Sequence, residues 1–137
     1  MKRIFLDGNV IFTAAHNPAG KSALLFELGQ KGYWELITSQ LACEEARRNI
    51  GIKFPECLPE VDKILKDIKI IPHTTQSSCP LELPDKDKPI FLAAIQGRAT
   101  HLLTGDLTHF GPFMNKTAET QGILIQTVSE FLLSIIE

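Results

Sequence analysis

Four carboxylates occupy positions of this sequence where a buried charge is expected to be unfavourable, and they carry most of its chemical information. They are Asp7, Glu45, Asp87 and Asp106. Each follows a short apolar run, opens a predicted helix or falls on a helix's apolar face, where an unpaired charge is unfavourable. At about 4 Å and an effective dielectric of about 20, two such charges repel by roughly 4 kcal/mol. Convergence of the four therefore predicts a bound cation, and their oxygen ligands favour Mg²⁺ or Mn²⁺ in a metal-dependent phosphodiesterase.

The elements that must position these acids follow from the spacing of apolar residues, caps and turns. Strands are predicted over residues 3–6, 33–38, 68–71, 101–104 and 123–126. Helices are predicted over residues 22–31, 40–49, 60–67, 87–98 and 129–136, with Ser39 as an N-cap and Gly51 past the end of the second helix. Residues 73–84 are expected to form a polar, structureless surface segment beside the site. Alternating strands and helices predict an α/β fold with a parallel sheet covered on both faces.

Composition limits the class of protein. The 137 residues fit one domain, 1–137, with 44% hydrophobic and 22% charged residues, as in ordinary globular proteins. The formal charge of −2 argues against binding nucleic acid through bulk positive charge. Three cysteines without a metal-binding spacing suit reduced thiols. No segment is typical of a signal peptide or a membrane span, so a cytoplasmic protein is expected.

Helical projection separates the informative acids from their neighbours. At about 100° per residue, Glu45 falls inside the apolar arc of its helix, whereas Glu44 falls outside it. Asp87 lies in line with the apolar positions of the next long helix, where an N-cap role is as plausible as metal ligation and compatible with it. Asp7 and Asp106 each follow an apolar strand, and the crevice beyond parallel strands' carboxyl ends is where α/β proteins bind ligands.

Two further features admit more than one interpretation. Residues 15–22, AHNPAGKS, differ from a phosphate-binding P-loop because Ala15 stands where the first Gly belongs and Pro18 removes an amide. A turn leading into a helix is favoured, and a P-loop nucleotidase is the weak alternative. His109, three residues after Asp106, either borders the acidic pocket or forms a turn.

Four segments together resemble the PIN-domain family of nucleases over essentially the whole chain. In chain order they are LDGNV, TSQLACEEARRNI, PDKDKPIFLAAI and LLTGDLTHFG. Their order and spacing are more specific than any one short motif. The resemblance implies a three-layer α/β/α sandwich with a mostly parallel sheet and a shared acidic pocket that holds Mg²⁺ or Mn²⁺.

The resemblance also implies roles for individual residues. The acids of the family fall, segment by segment, on Asp7, Glu45, Asp87 and Asp106, and all four are expected to bind metal and act in catalysis. Asn9 and Thr104 match polar positions that orient carboxylates or metal-bound waters. Some members carry a further acid where this chain has Thr108 and His109, so tight binding of a second metal is not implied. Gly8, inside the first segment, is expected to be harmless.

The activity implied by the resemblance is hydrolysis of RNA phosphodiester bonds. A metal ion would lower the pKa of a water molecule, and Asp87 or Asp106 would accept its proton. Four basic residues are candidates for holding the RNA backbone, although each also suits a solvated surface: Arg47, Arg48, Lys86 and Lys88. One group of the family, the VapC-type toxins, is neutralised by small antitoxins and commonly forms dimers. An antitoxin and a second copy of this chain are therefore expected partners.

Two other classes stay open at this point. The chain fits a partner-regulated or catalytically inactive PIN-like interaction module, because an acidic pocket can persist without turnover. A phosphatase that uses Asp7 as a covalent nucleophile is disfavoured, because Asn9 stands where that chemistry needs a second Asp.

Overall fold

The computed structural model describes residues 1–73 and 78–136, and its centre is a five-stranded parallel sheet. The strands are β1 Arg3–Leu6, β2 Glu35–Ser39, β3 Lys69–Ile71, β4 His101–Leu103 and β5 Leu124–Gln126. Their order across the sheet is β3-β2-β1-β4-β5, and every neighbouring pair runs parallel. The prediction of an α/β fold with a mostly parallel sheet is confirmed.

Helices flank this sheet and complete the three-layer α/β/α sandwich. In the described part of the chain they are α1 Gly8–His16, α2 Lys21–Gln30, α3 Gln40–Lys53, α4 Leu58–Leu65, α5 Lys88–Gln96, α6 Leu107–Phe110 and α7 Val128–Ile136. Short 3₁₀ turns lie at Pro55–Cys57 and Gly111–Phe113. Within residues 1–73 and 78–136, no helix has the length and apolar character needed to cross a membrane.

The sequence patterns predict neither the one-turn helix α6 nor helix α1, and α1 is the longer of the two. Its segment, GNVIFTAAH, contains Gly, Asn, Val, Ile and Thr, which have low helix propensity. Two effects outweigh that propensity. The Asp7 carboxylate caps the helix at the Gly8 amide, and the side chains of Val10, Ile11 and Ala14 are buried in the core.

Helix α3 is longer than predicted. Ser39 caps it as expected, and its hydroxyl accepts a hydrogen bond from the Ala42 amide at 3.1 Å. The prediction that the helix stops near Asn49 with Gly51 outside it is wrong, since α3 continues to Lys53. Ile50 is fully buried near this end, and its packing stabilises a turn that a glycine would otherwise weaken.

Residues 17–20 connect α1 to α2, and this connection excludes a P-loop architecture. A P-loop joins a strand to a helix, whereas here a helix precedes the turn. The turn is tight, because a Cβ atom at Gly20 would lie 2.6 Å from the Asn17 side-chain nitrogen. The fold therefore favours the turn interpretation of the AHNPAGKS segment.

The segment before α5 is only partly at the surface. The prediction that residues 73–84 lie on the surface is wrong for Leu81 and Leu83, which are 5% and 6% exposed, whereas Glu82 and Pro84 beside them are exposed. Residues 74–77 lie outside the described part of the chain. Burial of the two leucines anchors the backbone shortly before Asp87 and so helps to position that acid.

Strand β1 occupies the middle of the sheet, with Ile4, Phe5 and Leu6 fully buried. The chain builds outward from β1 through β2 to β3 on one side, and from β4 to β5 on the other. The point at which the order of strand addition reverses therefore lies between β1 and β4. Asp7 and Asp106 follow the carboxyl ends of these two strands, where open parallel sheets bind ligands.

Candidate functional site

Asp7 is the most buried acid of the candidate site, at 4% exposure, and it follows β1 directly. Its Oδ1 accepts a hydrogen bond from the Gly8 amide at 2.7 Å. Its Oδ2 accepts one from the Thr104 hydroxyl at 2.8 Å and one from the Asn9 side-chain amide at 3.3 Å. The two polar residues that the sequence assigns to orienting carboxylates therefore both contact Asp7.

This hydrogen-bond network continues into the loop after β4. The Asn9 side-chain oxygen accepts a hydrogen bond from the Gly105 amide at 2.7 Å, and the Thr104 hydroxyl accepts one from the Asp106 amide at 3.0 Å. A Cβ atom at Gly105 would lie 3.3 Å from that Asn9 oxygen, so the glycine permits the close approach. The backbone of Asp106 is thus held by the same side chains that hold Asp7.

The charge of Asp7 is poorly solvated. Burial raises the pKa of this carboxyl from 3.8 to about 6, even though the hydrogen bonds from Thr104 and Gly8 lower it. The nearby carboxylates of Glu45 and Asp87 raise the pKa further. Asp7 therefore lies in a region of excess negative charge, as the sequence predicts.

Glu45 approaches the site from α3, and Gly8 makes that approach possible. A Cβ atom at Gly8 would lie 3.2 Å from Glu45 Oε1 and 3.0 Å from the Ala42 carbonyl oxygen. Any larger residue would separate α1 from α3 and shift the Glu45 carboxylate. Glu44 is exposed and Glu45 is half-buried, so the projection distinguished the two correctly. The expectation that Gly8 is merely harmless understates its role.

One carboxylate oxygen of Asp87, Oδ2, makes no well-aligned hydrogen bond within the described residues, although His109 Nδ1 lies 3.0 Å from it. Asp87 occupies the N-cap position of α5 as the sequence suggests, but its side chain makes no capping hydrogen bond there. Asp87 is 7% exposed, so its carboxylate is largely removed from water. Burial raises the pKa of this carboxyl, and the neighbouring Asp106 raises it further, against the opposing effects of His109 and Lys86.

Asp106 and His109 form the other side of this acidic group. Asp106 caps the short helix α6 through the His109 amide at 3.1 Å, and its Oδ2 lies 2.8 Å from His109 Nδ1. The same nitrogen lies 3.0 Å from Asp87 Oδ2. Burial alone would raise the pKa of Asp106, but the hydrogen bonds from His109 outweigh burial and lower it. The sequence did not decide whether His109 borders the acidic pocket or only forms a turn. In the structure its ring lies against Asp87 and Asp106.

The basic residues proposed to hold RNA differ in their surroundings. Arg47 pairs with Asp62 at 2.6 Å and Lys88 pairs with Asp85 at 2.9 Å, both at the surface. Lys86 is exposed, and its positive charge lowers the pKa of both Asp87 and Asp106. Of these lysines and arginines, Lys86 therefore has the clearest electrostatic connection to the acidic site.

The residues present fit a divalent cation. Asp87, Asp106 and His109 each offer a ligand atom within 4.8 Å of the others. Asp7 and Glu45 do not belong to this closest group, although both carboxylates act electrostatically within the same site. Carboxylate oxygens are the ligands that Mg²⁺ and Mn²⁺ prefer. The raised pKa values of Asp7 and Asp87 show that both carboxylates favour added positive charge at this site.

Comparison with known proteins establishes the fold. No model of a known protein family matches the chain, and no curated protein matches its sequence. Among solved structures, it is similar to a chain in the crystal structure of VapBC2 from Rickettsia felis bound to a DNA fragment from their promoter. The TM-score is 0.64 at 16% identity, over 91% of this chain and 98% of that chain. The fold is PIN-like.

A PIN-like fold brings together acids that are far apart in the sequence. Asp7 follows the central strand, Glu45 comes from α3, Asp87 precedes α5 and Asp106 follows β4. At 16% identity the likeness is one of fold. What the site does must be argued from its own side chains.

Proposed function

We propose that this protein is a metal-dependent endoribonuclease that hydrolyses RNA phosphodiester bonds. The observation that carries the proposal is the grouping of Asp87, Asp106 and His109, whose ligand atoms lie within 4.8 Å of one another, beside the buried Asp7. Carboxylates this close together repel one another and need a positive charge between them. A cation held by these acids supplies one, and the PIN-like fold supports it.

Asp7, Glu45, Asp87 and Asp106 would hold Mg²⁺ or Mn²⁺, directly or through water. When bound, such an ion lowers the pKa of a water molecule and offsets charge on the phosphoryl oxygens. The chain itself orients Asp7 through Thr104 and Asn9. These supporting hydrogen bonds restrict the carboxylate to one orientation and so favour a defined ligand geometry.

Asp87 is the better candidate for accepting the proton of the attacking water. Its pKa is raised by burial, whereas hydrogen bonds from His109 lower the pKa of Asp106. Of two carboxylates at the same site, the one with the higher pKa is the stronger base. His109 then holds Asp106 in place, and Lys86 adds positive charge beside both acids.

The toxin of a toxin–antitoxin pair is the biological role that we propose for this ribonuclease. The support is the likeness to VapBC2 of Rickettsia felis. An antitoxin that covers the acidic site, a homodimer of this chain and a cytoplasmic location belong to the same proposal. Binding of a partner protein with loss of RNA cleavage is the expected behaviour.

A partner-regulated or inactive interaction module is the second candidate, and one contact favours it. His109 Nδ1 lies within 3.0 Å of both Asp87 Oδ2 and Asp106 Oδ2, where an N–H group can partly compensate two carboxylates. A site compensated in this way has less need of a metal. The two candidates differ in whether the acids support turnover.

The test is cleavage of end-labelled single-stranded RNA by purified protein with Mn²⁺ or Mg²⁺, compared with chelator. We expect cleavage only with metal, and a loss of about 100-fold or more in Asp87→Asn. Asp7→Asn should be equally inactive. The matched control is Asp85→Asn, because Asp85 lies two residues away but is exposed and pairs with Lys88.

Two results would reject the proposed ribonuclease activity. Equal cleavage by Asp87→Asn and wild type would point to a contaminating nuclease. Absence of cleavage by wild type, with Asp87→Asn changing only the affinity for a partner protein, would support the interaction module instead.

A further inference from the structure

One ring nitrogen of His109 faces two of the acids at once. Its Nδ1 lies 2.8 Å from Asp106 Oδ2 and 3.0 Å from Asp87 Oδ2. The backbone holds the ring in this place, because the Asp106 carboxylate also accepts a hydrogen bond from the His109 amide at 3.1 Å. The nitrogen therefore belongs to the same group of atoms as the two carboxylate oxygens.

A single ring N–H cannot form good hydrogen bonds to both carboxylates, because a hydrogen bond weakens steeply when it is bent. His109 Nδ1 pairs with Asp106 Oδ2. Asp87 Oδ2 makes no well-aligned hydrogen bond within residues 1–73 and 78–136, and Asp87 is 7% exposed. This buried oxygen faces a nitrogen that is close but does not satisfy it. A cation between the three atoms would contact all of them.

The spacing of these atoms is that of neighbouring ligands of one metal ion. In an octahedral shell with bonds of about 2.1 Å, adjacent ligand atoms lie about 3 Å apart. The two separations from His109 Nδ1, 2.8 Å and 3.0 Å, have this size. Asp87, Asp106 and His109 each place a ligand atom within 4.8 Å of the other two. The folded chain thus already holds the three atoms at ligand spacing.

The chemistry of the third atom distinguishes between metal ions. Mg²⁺ binds oxygen ligands and gives up its waters reluctantly, whereas an imidazole nitrogen is typical of transition-metal sites. Mn²⁺ accepts carboxylate oxygens and, as a transition-metal ion, imidazole as well. A nitrogen beside two carboxylates therefore favours Mn²⁺ over Mg²⁺.

We propose that His109 is a ligand of the ion through Nδ1, and that this ligand makes the site prefer Mn²⁺ to Mg²⁺. The inference rests on the proposed function, because it concerns the ion held by the same acids. A neutral imidazole offers a lone pair on one nitrogen and a hydrogen on the other. With the ion bound, Nδ1 presents its lone pair to the metal and no longer donates to Asp106.

The first test measures Mn²⁺ binding to the purified protein without RNA, at pH 7.5, from the electron paramagnetic resonance signal of free Mn²⁺. We expect His109→Ala to weaken Mn²⁺ binding about 10- to 100-fold. Competition with Mg²⁺ should show that the preference for Mn²⁺ falls about tenfold. His16→Ala is the matched control and should bind Mn²⁺ like wild type, since His16 ends α1 and its ring stacks on Phe54.

The second test detects the nitrogen ligand directly. Pulsed electron paramagnetic resonance of the Mn²⁺-bound wild type should show coupling to an imidazole ¹⁴N nucleus, and His109→Ala should lack it. A His109 that only compensates the two acids gives the opposite result. Its removal then leaves Mn²⁺ binding unchanged or tighter, and the wild type shows no ¹⁴N coupling. Either of these findings rejects the inference.

The outcomes also separate this inference from the ribonuclease. If His109→Ala loses Mn²⁺ affinity and ¹⁴N coupling but wild type never cleaves RNA, the ligand stands and the ribonuclease fails. If wild type cleaves RNA with Mn²⁺ but His109→Ala binds the ion as tightly, the ribonuclease stands and the ligand fails. Thermal unfolding shows whether each variant is folded, and His109→Asn, which keeps a polar side chain, serves as a second variant.

Discussion

Asp7 combines two roles that act against each other in the absence of a cation. Its carboxylate caps α1 through the Gly8 amide, which stabilises the helix. Its charge is buried, and the folded-state pKa of about 6 exceeds the ordinary value of 3.8. Ionisation of Asp7 therefore lowers the free energy of unfolding. This loss of stability is absent below about pH 4, grows between about pH 4 and 6, and is complete above about pH 6.

We predict that Asp7→Asn stabilises the metal-free protein at pH 7.5. The pKa shift of Asp7 from 3.8 to about 6 corresponds to at most about 3 kcal/mol. Weaker hydrogen bonding to Thr104 should offset part of this, leaving a gain of about 1–2 kcal/mol. Urea unfolding in chelator should show the gain at pH 7.5 and its disappearance near pH 4.

Asp67→Asn is the control for this prediction, because Asp67 is exposed on another part of the surface. It should change the free energy of unfolding little at either pH. A loss of stability in Asp7→Asn that is the same at both pH values would show that capping, and not charge burial, dominates at Asp7.

The packing of α1 on α3 is the element-level feature on which the site depends. A Cβ atom at Gly8 would lie 3.0 Å from the Ala42 carbonyl oxygen and 3.2 Å from Glu45 Oε1. The backbone oxygen cannot move aside without moving the helix, whereas the glutamate carboxylate can rotate away. A larger residue at this position therefore displaces an acid of the site before it unfolds the protein.

We predict that Gly8→Ala reduces RNA cleavage at least tenfold while lowering the free energy of unfolding by only about 1 kcal/mol. Gly51→Ala is the matched control, since Gly51 lies in α3 with no atom within 4 Å of its added methyl group. That variant should keep its activity and gain about 0.5–1 kcal/mol. Normal activity in Gly8→Ala would show that the acids tolerate a wider separation of α1 and α3.

At the scale of the whole molecule, a bound metal ion would connect four segments that lie far apart in the sequence. Asp7 and Asp106 follow the adjacent strands β1 and β4, Glu45 comes from α3 and Asp87 precedes α5. These ligands are close together only in the folded chain. A ligand that binds only the folded state stabilises it in proportion to the logarithm of its concentration.

We predict that Mn²⁺ at about 100 times its dissociation constant raises the melting temperature by roughly 10 °C relative to chelator, which corresponds to about 2.7 kcal/mol. Asp106→Asn should abolish most of this increase, and Glu44→Gln should retain it because Glu44 is exposed. Thermal unfolding followed by circular dichroism measures the effect. An increase that survives in Asp106→Asn would place the ion elsewhere.

Local patterns were sufficient for most elements of the fold. The spacing of apolar residues predicted the five strands, and helical projection separated Glu45 from Glu44. The local patterns failed where tertiary contacts outweigh the local preference for helix, turn or exposure. Helix α1 forms despite low propensity, Gly51 lies inside α3, and Leu81 and Leu83 are buried.

The amino-acid sequence by itself determined the alternation of strands and helices and the positions of four acids along the chain. Only the tertiary structure decided that the Asp87 side chain leaves α5 uncapped and that His109 lies against Asp87 and Asp106. The physical reason is the distance along the chain over which each effect acts. Periodicity and capping act over a few residues, whereas distances between remote side chains depend on the strand order and on which helices pack together.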